Sequence, residues 1–308
     1  MGFLLAIEGA ASQGVLWGIM TLGVFITFRI LNFPDLTVDG SFALGGAVSA
    51  VLLTASVDPI ISLCIAFVIG TLSGVITALL HTKLKIPGIL AGILTMIGLY
   101  SINIRIMGKA NIPLLGVTTL MNNAQSFFGF DKTMSSLFIG IVASLIIIAL
   151  LYLFFGTEIG SALRATGDNE KMARAQGINT DSMKLAGLAL SNGLVALSGG
   201  LVAQSQGYAD VGMGTGTIVI GLASIIIGEV LFGKRFAFWY ILLSLIFGSI
   251  IYRIIIAVVL QLGLKSTDLK LLTAAIVAFA LAIPVIQANF AQILKSSSAK
   301  KNNGGKNA

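Results

Sequence analysis

Residues 160–184 read GSALRATGDNEKMARAQGINTDSMK and form a polar stretch in a chain that is otherwise rich in apolar residues. Long apolar-rich segments precede and follow this stretch. Seven of its residues carry a charge: Arg164, Asp168, Glu170, Lys171, Arg174, Asp181 and Lys184. A chain that is mostly apolar and makes one sizeable polar loop is expected to present that loop to a partner in water.

Composition places the chain among membrane proteins. Of its 308 residues, 56% are hydrophobic and only 10% are charged, and the mean hydropathy is +1.00. A soluble domain usually has about 25% charged residues. The 36 glycines are typical of closely packed or broken helices in lipid. We therefore expect one all-α, polytopic membrane helix bundle without a separate soluble domain.

The apolar segments predict about nine membrane spans, within a range of eight to ten. A bilayer core needs about 20 helical residues for each span. Two short glycine-rich segments, 40–57 and 214–232, are each candidates for a half-helix or a re-entrant turn. The predicted spans are 10–31, 40–57, 59–80, 86–107, 135–156, 185–205, 214–232, 236–262 and 268–290.

Basic residues predict the orientation of this bundle. Thirteen of the 19 Lys and Arg residues fall on one side of the nine-span map, which is therefore expected to be cytoplasmic. They are Arg29, Lys83, Lys85, Arg164, Lys171, Arg174, Lys184, Lys234, Arg235, Lys295, Lys300, Lys301 and Lys306. The C-terminus is then cytoplasmic and the N-terminus outside. The net charge of +7 is explained by this topology and does not indicate nucleic-acid binding.

Other segments complete the predicted organisation. Residues 1–294 form one membrane domain, with a cytoplasmic loop at 157–184 and an external loop at 108–134 that is expected to form a partly ordered cap. The basic tail 295–308 is expected to be disordered. No removable signal peptide is expected, because the first residues lack a basic leader followed by a cleavage site. His81 is the only histidine, so no multi-histidine metal site is expected.

The polar stretch itself predicts a short surface helix, about 169–176. Thr166, Gly167 and Asp168 offer helix-start chemistry, because short polar side chains cap free backbone N–H groups. Gly177 can adopt the left-handed conformation that ends helices. Such a helix fits a cleft in a cytoplasmic partner, and an amphipathic linker on lipid headgroups is the alternative.

The spacing within this stretch resembles the cytoplasmic loop of ABC importer permeases of the branched-chain amino acid/ribose class. The glycine-rich run that begins at Gly40 and the small residues between Ser191 and Gly221 are similar to the same class. Residues 32–40, NFPDLTVDG, resemble instead a subgroup linked to tryptophan or tyrosine uptake. The positions that carry the loop pattern are Gly160, Arg164, Ala165, Gly167, Asn169, Ala173 and Gly177, and the predicted coupling residues are these together with Asp168.

The resemblance implies a function for the whole chain. It would be the membrane-spanning subunit of a bacterial plasma-membrane importer for a small solute, with an amino acid, especially an aromatic one, favoured. It would form a homodimer, receive substrate from an extracellular binding (lipo)protein, and couple to separate ABC ATPase subunits through the loop around Arg164–Gly177. ATP and magnesium would bind to those subunits, and this chain would bind no cofactor and perform no catalysis.

A partial phosphate-loop pattern does not indicate that this chain binds ATP itself. Residues 228–235, GEVLFGKR, match GxxxxGK but lack the Ser or Thr that would bind magnesium. The pattern also lies at the end of a predicted span, where a strand–loop–helix cannot form. We interpret it as a chance match, with Lys234 and Arg235 as an ordinary cytoplasmic anchor.

Chain breaks point to the translocation path, because broken helices in transporters belong beside a cavity. The two candidate breaks are 34–46 and 212–221. Asp35 and Asp39 could fix a gate; alternatively, Asp39 caps a helix that starts at Gly40 and Asp35 lies among the headgroups. The candidate path or gate residues are Asp35, Asp39, Gly40, Phe42, Gly45, Asn192, Gly214, Gly221 and Arg253.

Arg253 is the clearest charge inside a predicted span. Such residues usually face a cavity or a partner, although a snorkelled anchor is an alternative here. Glu229 is expected to reach toward Lys234 or Arg235. Two other functions remain open from the residues alone: an ion-coupled secondary transporter, which would need buried carboxylates, and an intramembrane enzyme, which would need a catalytic cluster within the spans.

Overall fold

The computed structural model describes residues 2–233 and 237–263, together with scattered residues between 271 and 282. Within this part of the chain, seven helices are long and apolar enough to cross a membrane, and one shorter apolar helix accompanies them. The all-α bundle is therefore confirmed. The predicted ninth span, 268–290, lies mostly outside the described residues, and the tail 295–308 lies wholly outside them.

Eleven α-helices and two short strands make up the described chain. Helix α1 runs straight into a π-helical turn, Ile26–Ile30. The elements are α1 Gly2–Phe25, α2 Thr37–Thr54, α3 Pro59–Thr82, α4 Gly88–Met107, β1 Asn111–Pro113, α5 Leu120–Phe128, α6 Lys132–Gly156, α7 Glu158–Asp168, α8 Glu170–Ala175, α9 Thr180–Gln206, β2 Tyr208–Asp210, α10 Thr217–Phe232 and α11 Phe238–Gln261.

Helices α1, α2 and α9 form the centre of the bundle, and glycines allow them to approach closely. A Cβ atom on Gly45 of α2 would lie 1.8 Å from the carbonyl oxygen of Ala196 on α9. One on Gly199 of α9 would lie 2.0 Å from the carbonyl oxygen of Phe42. Only glycine permits this backbone contact, which is the usual way for helices to pack tightly in lipid.

The two ends of the bundle differ in structure. At one end, here called the ribbon end, β1 pairs antiparallel with β2, and Asn111 lies opposite Asp210. The connection 108–131 also contains helix α5 and lies within the segment predicted to form an external cap. At the opposite end, here called the polar-loop end, residues 157–184 pack beside Ile30 and His81.

One predicted half-helix is wrong and the other is supported. The segment 40–57 belongs to α2, a continuous helix of 18 residues that is buried on almost all sides. Its glycines serve helix contact, and the break in the chain comes before it, at residues 31–36. Helix α10, by contrast, has only 16 residues and follows an irregular segment, 211–216, that turns back into the bundle along α2.

Candidate functional site

The polar loop, residues 157–184, contains two helices where the sequence predicted one. Helix α7 was missed because only part of it is polar, and it ends with the residues that were expected to start a helix. The actual cap of α8 is Asn169, whose side-chain oxygen accepts a hydrogen bond from the Met172 backbone at 3.0 Å. Thr166 donates instead to the Ala162 carbonyl oxygen and is buried. The predicted cap at Thr166–Asp168 is therefore wrong by one residue.

Four of the predicted coupling residues shape the loop from within. Cβ atoms on Gly160 and Gly167 would lie 2.3 Å from the Phe154 carbonyl oxygen and 1.8 Å from the Ile30 carbonyl oxygen. Ala173 is the buried residue of α8. Gly177 has a φ of +84°, which confirms the predicted left-handed stop. These small residues let the loop rest directly on the backbone of the bundle.

Arg164 fixes α7 to its neighbours. Its guanidinium donates to the Phe155 carbonyl oxygen at 2.5 Å and lies 5.6 Å from the centre of the Phe238 ring. It therefore joins the ends of α6 and α11 to the loop. Ala165 is half-buried and Asp168 is exposed, so neither contributes to this junction.

An ion-pair network holds α8 against α9. Glu170 accepts from Arg174 at 3.1 Å and from Lys184 at 2.8 Å. The hydrogen bond from Lys184, helped by the positive charges of Lys184 and Arg174, holds the pKa of Glu170 below its usual value. Arg174 also donates to the Thr180 hydroxyl at 2.7 Å. Glu170 therefore stays ionised, and α8 keeps a defined orientation.

This orientation leaves one face of α8 in solvent. Met172, the large apolar side chain of α8, is 62% exposed. Lys171, Ala175 and Gln176 are exposed beside it. The accessible surface of the loop therefore consists mostly of residues other than the predicted coupling set. Amphipathic patterning could have indicated Met172, since it is the one large apolar residue in this helix.

Asp35 lies inside the bundle and not among headgroups. It is 1% exposed, accepts from the Thr37 backbone at 2.9 Å and accepts from Asn192 Nδ2 at 2.7 Å. Ser41 donates to Asn192 Oδ1 at 2.7 Å. The chain break 31–36 is thus tied to α9 by a fully buried polar network, and two of the predicted path residues meet here.

Asp39 does not cap its own helix, because α2 already begins at Thr37. Its carboxylate accepts instead from the backbone N–H groups of Gly216 and Ile218, at 2.8 and 3.0 Å, and from the Thr217 hydroxyl at 2.8 Å. A negative charge at this position complements the positive end of the α10 dipole. Asp39 therefore fixes the start of α10 inside the bundle.

The far end of α10 is also held by the segment that follows α1. Arg29 Nε and Nη2 donate to the Glu229 carboxylate at 2.8 and 3.0 Å. Sequence reasoning missed this pair, because Arg29 was given no partner and the partners expected for Glu229, Lys234 and Arg235, lie outside the described residues. Both ends of α10 are thus bound by residues between positions 29 and 39.

The remaining predicted path residues have distinct surroundings. Arg253 stacks on Trp17, with Cζ 3.9 Å from the ring centre, and Trp17 lies 4.8 Å from Phe42. Arg253 therefore faces the interior and is not a snorkelled anchor. Gly40 packs against Leu99, Gly45 against Ala196, Gly214 against the Asp39 backbone and Gly221 against Val24.

Two cavities lie away from these residues. An apolar cleft of about 1090 Å³ separates α3 from α6 and is floored by leucines of α9. A more polar cavity of about 560 Å³ at the ribbon end is lined by residues that include Asn122, Lys132, Gln204 and Tyr208. Neither is lined by a predicted path residue, so the role of that set stays a prediction.

Comparison with known proteins assigns the chain to a family. A family described as the permease component of branched-chain amino acid transport systems matches residues 6–286. A tyrosine transport system permease protein of Clostridioides difficile (strain R20291) is 43% identical over 266 residues, which cover 86% of this chain and 87% of that protein. The probable branched-chain amino acid transport permease protein LivH of Methanocaldococcus jannaschii is 29% identical, covering 63% of this chain and 64% of that protein.

A more distant relative is the ribose import permease protein RbsC of Escherichia coli (strain K12), which is 24% identical over 54% of this chain and 51% of its own length. These relatives confirm the resemblance drawn from the polar loop. They are permease subunits of ABC transporters, in which the ATPase is a separate component. An ABC permease subunit is neither of the two alternatives that the residues alone left open, an ion-coupled secondary transporter and an intramembrane enzyme. The chain belongs to the family of permease components of branched-chain amino acid transport systems.

Proposed function

We propose that this chain forms the membrane path of an ABC importer for an amino acid, with an aromatic amino acid favoured. The printed name of the 43% identical relative, a tyrosine transport system permease, supports this substrate class. Residues 32–40, which resemble the tryptophan/tyrosine subgroup, include the buried Asp35 and the α10-binding Asp39. Two residues of the segment that resembles this subgroup, Asp35 and Asp39, thus make contacts inside the bundle.

The observation that carries the coupling role is the exposed face of α8. A short helix displays an apolar knob, Met172, while Glu170, Arg174 and Lys184 fix its position. Such a rigid, partly apolar projection suits a cleft in an ATPase subunit. Two glycines, the buried Gly160 and the half-buried Gly167, place the loop directly on the backbone of the bundle, so a push on α8 would reach the spans.

Orientation and assembly complete the proposal. The polar-loop end faces the cytoplasm of a bacterium, because most basic residues lie there on the nine-span map. The ribbon end faces outward, where its polar cavity offers a surface to a substrate-delivering binding protein. Two copies of the chain form the importer, and ATP and magnesium bind to the ATPase subunits.

A pair of matched substitutions tests the coupling role. Met172→Glu places a charge in the proposed ATPase contact, and Leu115→Glu places the same charge at an 89% exposed site of the opposite end. We expect Met172→Glu to lower co-purification of the ATPase with the chain at least about tenfold, because a charge buried in an interface without a partner is costly. Leu115→Glu should retain the ATPase.

Two results would contradict the proposal. Wild-type levels of ATPase association and ATP-dependent uptake in vesicles with Met172→Glu would contradict the assignment of α8. Uptake by the chain alone, driven by an ion gradient in vesicles without ATP, would contradict the importer itself.

A further inference from the structure

His81 lies at the junction between the bundle and the polar loop. It belongs to the last turn of α3, is half-buried and is the only histidine of the chain. Its Nδ1 lies 2.8 Å from the Ile86 carbonyl oxygen, and its Nε2 lies 3.4 Å from Lys184 Nζ on α9. The ring also meets the Phe33 ring edge-on at 5.1 Å. One side chain therefore joins the connection after α3, helix α9 and the chain break 31–36.

The two polar contacts define the protonation state of this ring. A carbonyl oxygen only accepts hydrogen bonds, so Nδ1 carries the hydrogen and donates to Ile86. An ammonium group only donates, so Nε2 is the unprotonated nitrogen that accepts from Lys184. Lys184 is charged here, because it also donates to the Glu170 carboxylate at 2.8 Å. The arrangement therefore requires a neutral imidazole.

Through Lys184, the ring reaches the exposed helix α8. The Lys184 side chain is only 15% exposed and contacts both His81 and Glu170, the first residue of α8. Helix α8 has six residues, of which Ala173 is the buried one, so its orientation depends on polar contacts. His81 therefore restrains the cation that ties α8 to α9.

A proton on Nε2 would reverse the contact with Lys184. Two donors and two positive charges would then meet where the atoms now lie 3.4 Å apart. Histidine is the side chain whose charge ordinarily changes between about pH 5 and pH 8. The pKa of Glu170 is held below its usual value by the hydrogen bond from Lys184, so this carboxylate stays ionised over the same range. His81 is thus the member of the cluster that changes charge near neutral pH.

The charges around the ring do not offset a second positive charge. The elements next to it carry these charged side chains: Lys184 and Asp181 on α9, Glu170 and Arg174 on α8, Lys83 and Lys85 in the connection after α3, and Asp35 in the chain break 31–36. Lys83 and Lys85 are exposed and positive. Asp35 accepts from Thr37 and Asn192, and Glu170 is already bonded to Lys184 and Arg174. None of the salt bridges among the described residues includes His81.

We propose that His81 is a positioning residue of the polar loop, which holds α8 through Lys184 only while its ring is neutral. Acidification of the cytoplasm protonates the ring, separates Lys184 from α3 and loosens α8. A looser α8 transmits less of the ATPase motion to the spans, so less solute moves for each ATP hydrolysed. The effect on transport rests on the proposed function, whereas the loosening of α8 is a property of this chain alone.

Spin labelling of the full-length chain in nanodiscs tests the loosening directly. Cys64 is the only cysteine, so Cys64→Ser gives a background without thiols, and Lys171→Cys places one label on the exposed face of α8. We expect the mobile fraction of this label to rise about two- to fivefold as the pH falls from about 8 to about 5. A label at Ser161→Cys, an exposed position of α7, is the matched control and should show no such rise.

Two variants separate the charge of the ring from its packing. His81→Gln has an amide oxygen that can accept from Lys184 and gains no proton in this range, so the label on α8 should stay immobile at every pH. If His81→Gln does not fold, Lys184→Gln serves the same purpose. Its amide carries no charge to repel a protonated ring, so the pH-dependent rise should again disappear.

The outcomes separate this inference from the proposed function. A label on α8 that is equally mobile at every pH with His81 present, or a rise that persists in His81→Gln, overturns the role of His81 and leaves the importer proposal standing. In the assembled importer, the solute moved for each ATP hydrolysed should fall about two- to fivefold over the same pH range, and it should stay level in His81→Gln. A wild-type ratio that does not change with pH would contradict the effect on transport. Loss of ATPase association at neutral pH would overturn the importer instead, whatever the label on α8 reports.

Discussion

Helices α2 and α10 are both apolar, short for a membrane span and rich in small residues, yet the structure uses them differently. Helix α2 crosses the bundle with most of its surface buried against α3, α4 and α9. Helix α10 begins inside the bundle at Asp39 and ends at the ion pair between Arg29 and Glu229. Helix α10 packs along α11, where a Cβ atom on Gly248 would lie 2.1 Å from the Ser224 carbonyl oxygen, and polar contacts fix both of its ends. Helix α2 is thus enclosed by three helices, whereas α10 packs chiefly on α11.

The largest effect is expected from filling the α2–α9 contact. In Gly45→Val, the new Cβ would lie 1.8 Å from the Ala196 carbonyl oxygen, so two helix backbones must separate. We expect a loss of at least about 3 kcal/mol of stability, measured by unfolding in detergent with increasing SDS. Gly98→Val on α4 is the matched control, because no atom lies within 4 Å of its Cβ position. Equal stability of the two variants would contradict the role given to α2.

Removal of the Asp39 carboxylate should have the next largest effect. Asp39→Ala leaves two backbone N–H groups and the Thr217 hydroxyl without their acceptor. We expect a loss of about 2–3 kcal/mol in the same assay. Asp58→Ala removes the exposed cap of α3, which binds Ile60 at 2.8 Å, and should cost about 1 kcal/mol. A smaller loss for Asp39 than for Asp58 would show that α10 does not depend on its buried cap.

A smaller loss of stability is expected at the other end of α10. Glu229→Gln weakens a pair in which the Arg29 side chain is 44% exposed, so the change in unfolding free energy should be about 0.2–1 kcal/mol. If the pair holds α10 during transport, the amount of solute moved for each ATP hydrolysed should fall while ATPase association is kept. The charge-exchanged double variant Arg29→Glu/Glu229→Arg should recover part of that ratio, and no recovery would argue against a direct pair.

The smallest effect is expected within α10 itself. In Gly221→Ala the new methyl group would lie 3.0 Å from Val24 Cγ2, which belongs to a side chain and can shift. The gain in helix propensity, about 1 kcal/mol, should offset this contact and leave stability within about 0.5 kcal/mol of the wild type. A large loss in SDS unfolding would show that the side chains of α1 that face Gly221 cannot shift in this way.

Much of the fold followed from the sequence because membrane spans obey a simple rule of length and hydropathy. The eight predicted spans between residues 10 and 262 each match a helix, with ends displaced by at most eight residues. The short form of α10 was also among the alternatives, since glycines crowd the segment before it. Prediction failed for α2, because a glycine that breaks a helix and a glycine that permits helix contact look identical in sequence.

The candidate site was predictable only in part. Spacing in the polar loop indicated the α8 helix and the stop at Gly177, but not its exposed face or its cap at Asn169. Asp35 and Asn192 were selected separately, and nothing in their separation of 157 positions indicated that they would bond. Glu229 was assigned to Lys234 or Arg235, and Arg29 was given no partner. Long-range polar pairs escape sequence reasoning because local patterns do not encode which spans become neighbours.

The sequence by itself determined that this chain is a multi-span membrane protein with one polar loop, because hydropathy and charge act on each segment separately. It also carried enough of the family pattern to place the chain among ABC permeases. Only the tertiary structure decided that Asp39 caps a helix more than 170 positions away, that Gly167 rests on the Ile30 backbone and that Arg253 stacks on Trp17. Those contacts join residues from different helices, and they exist only after the backbones have packed at the distance that the buried glycines allow.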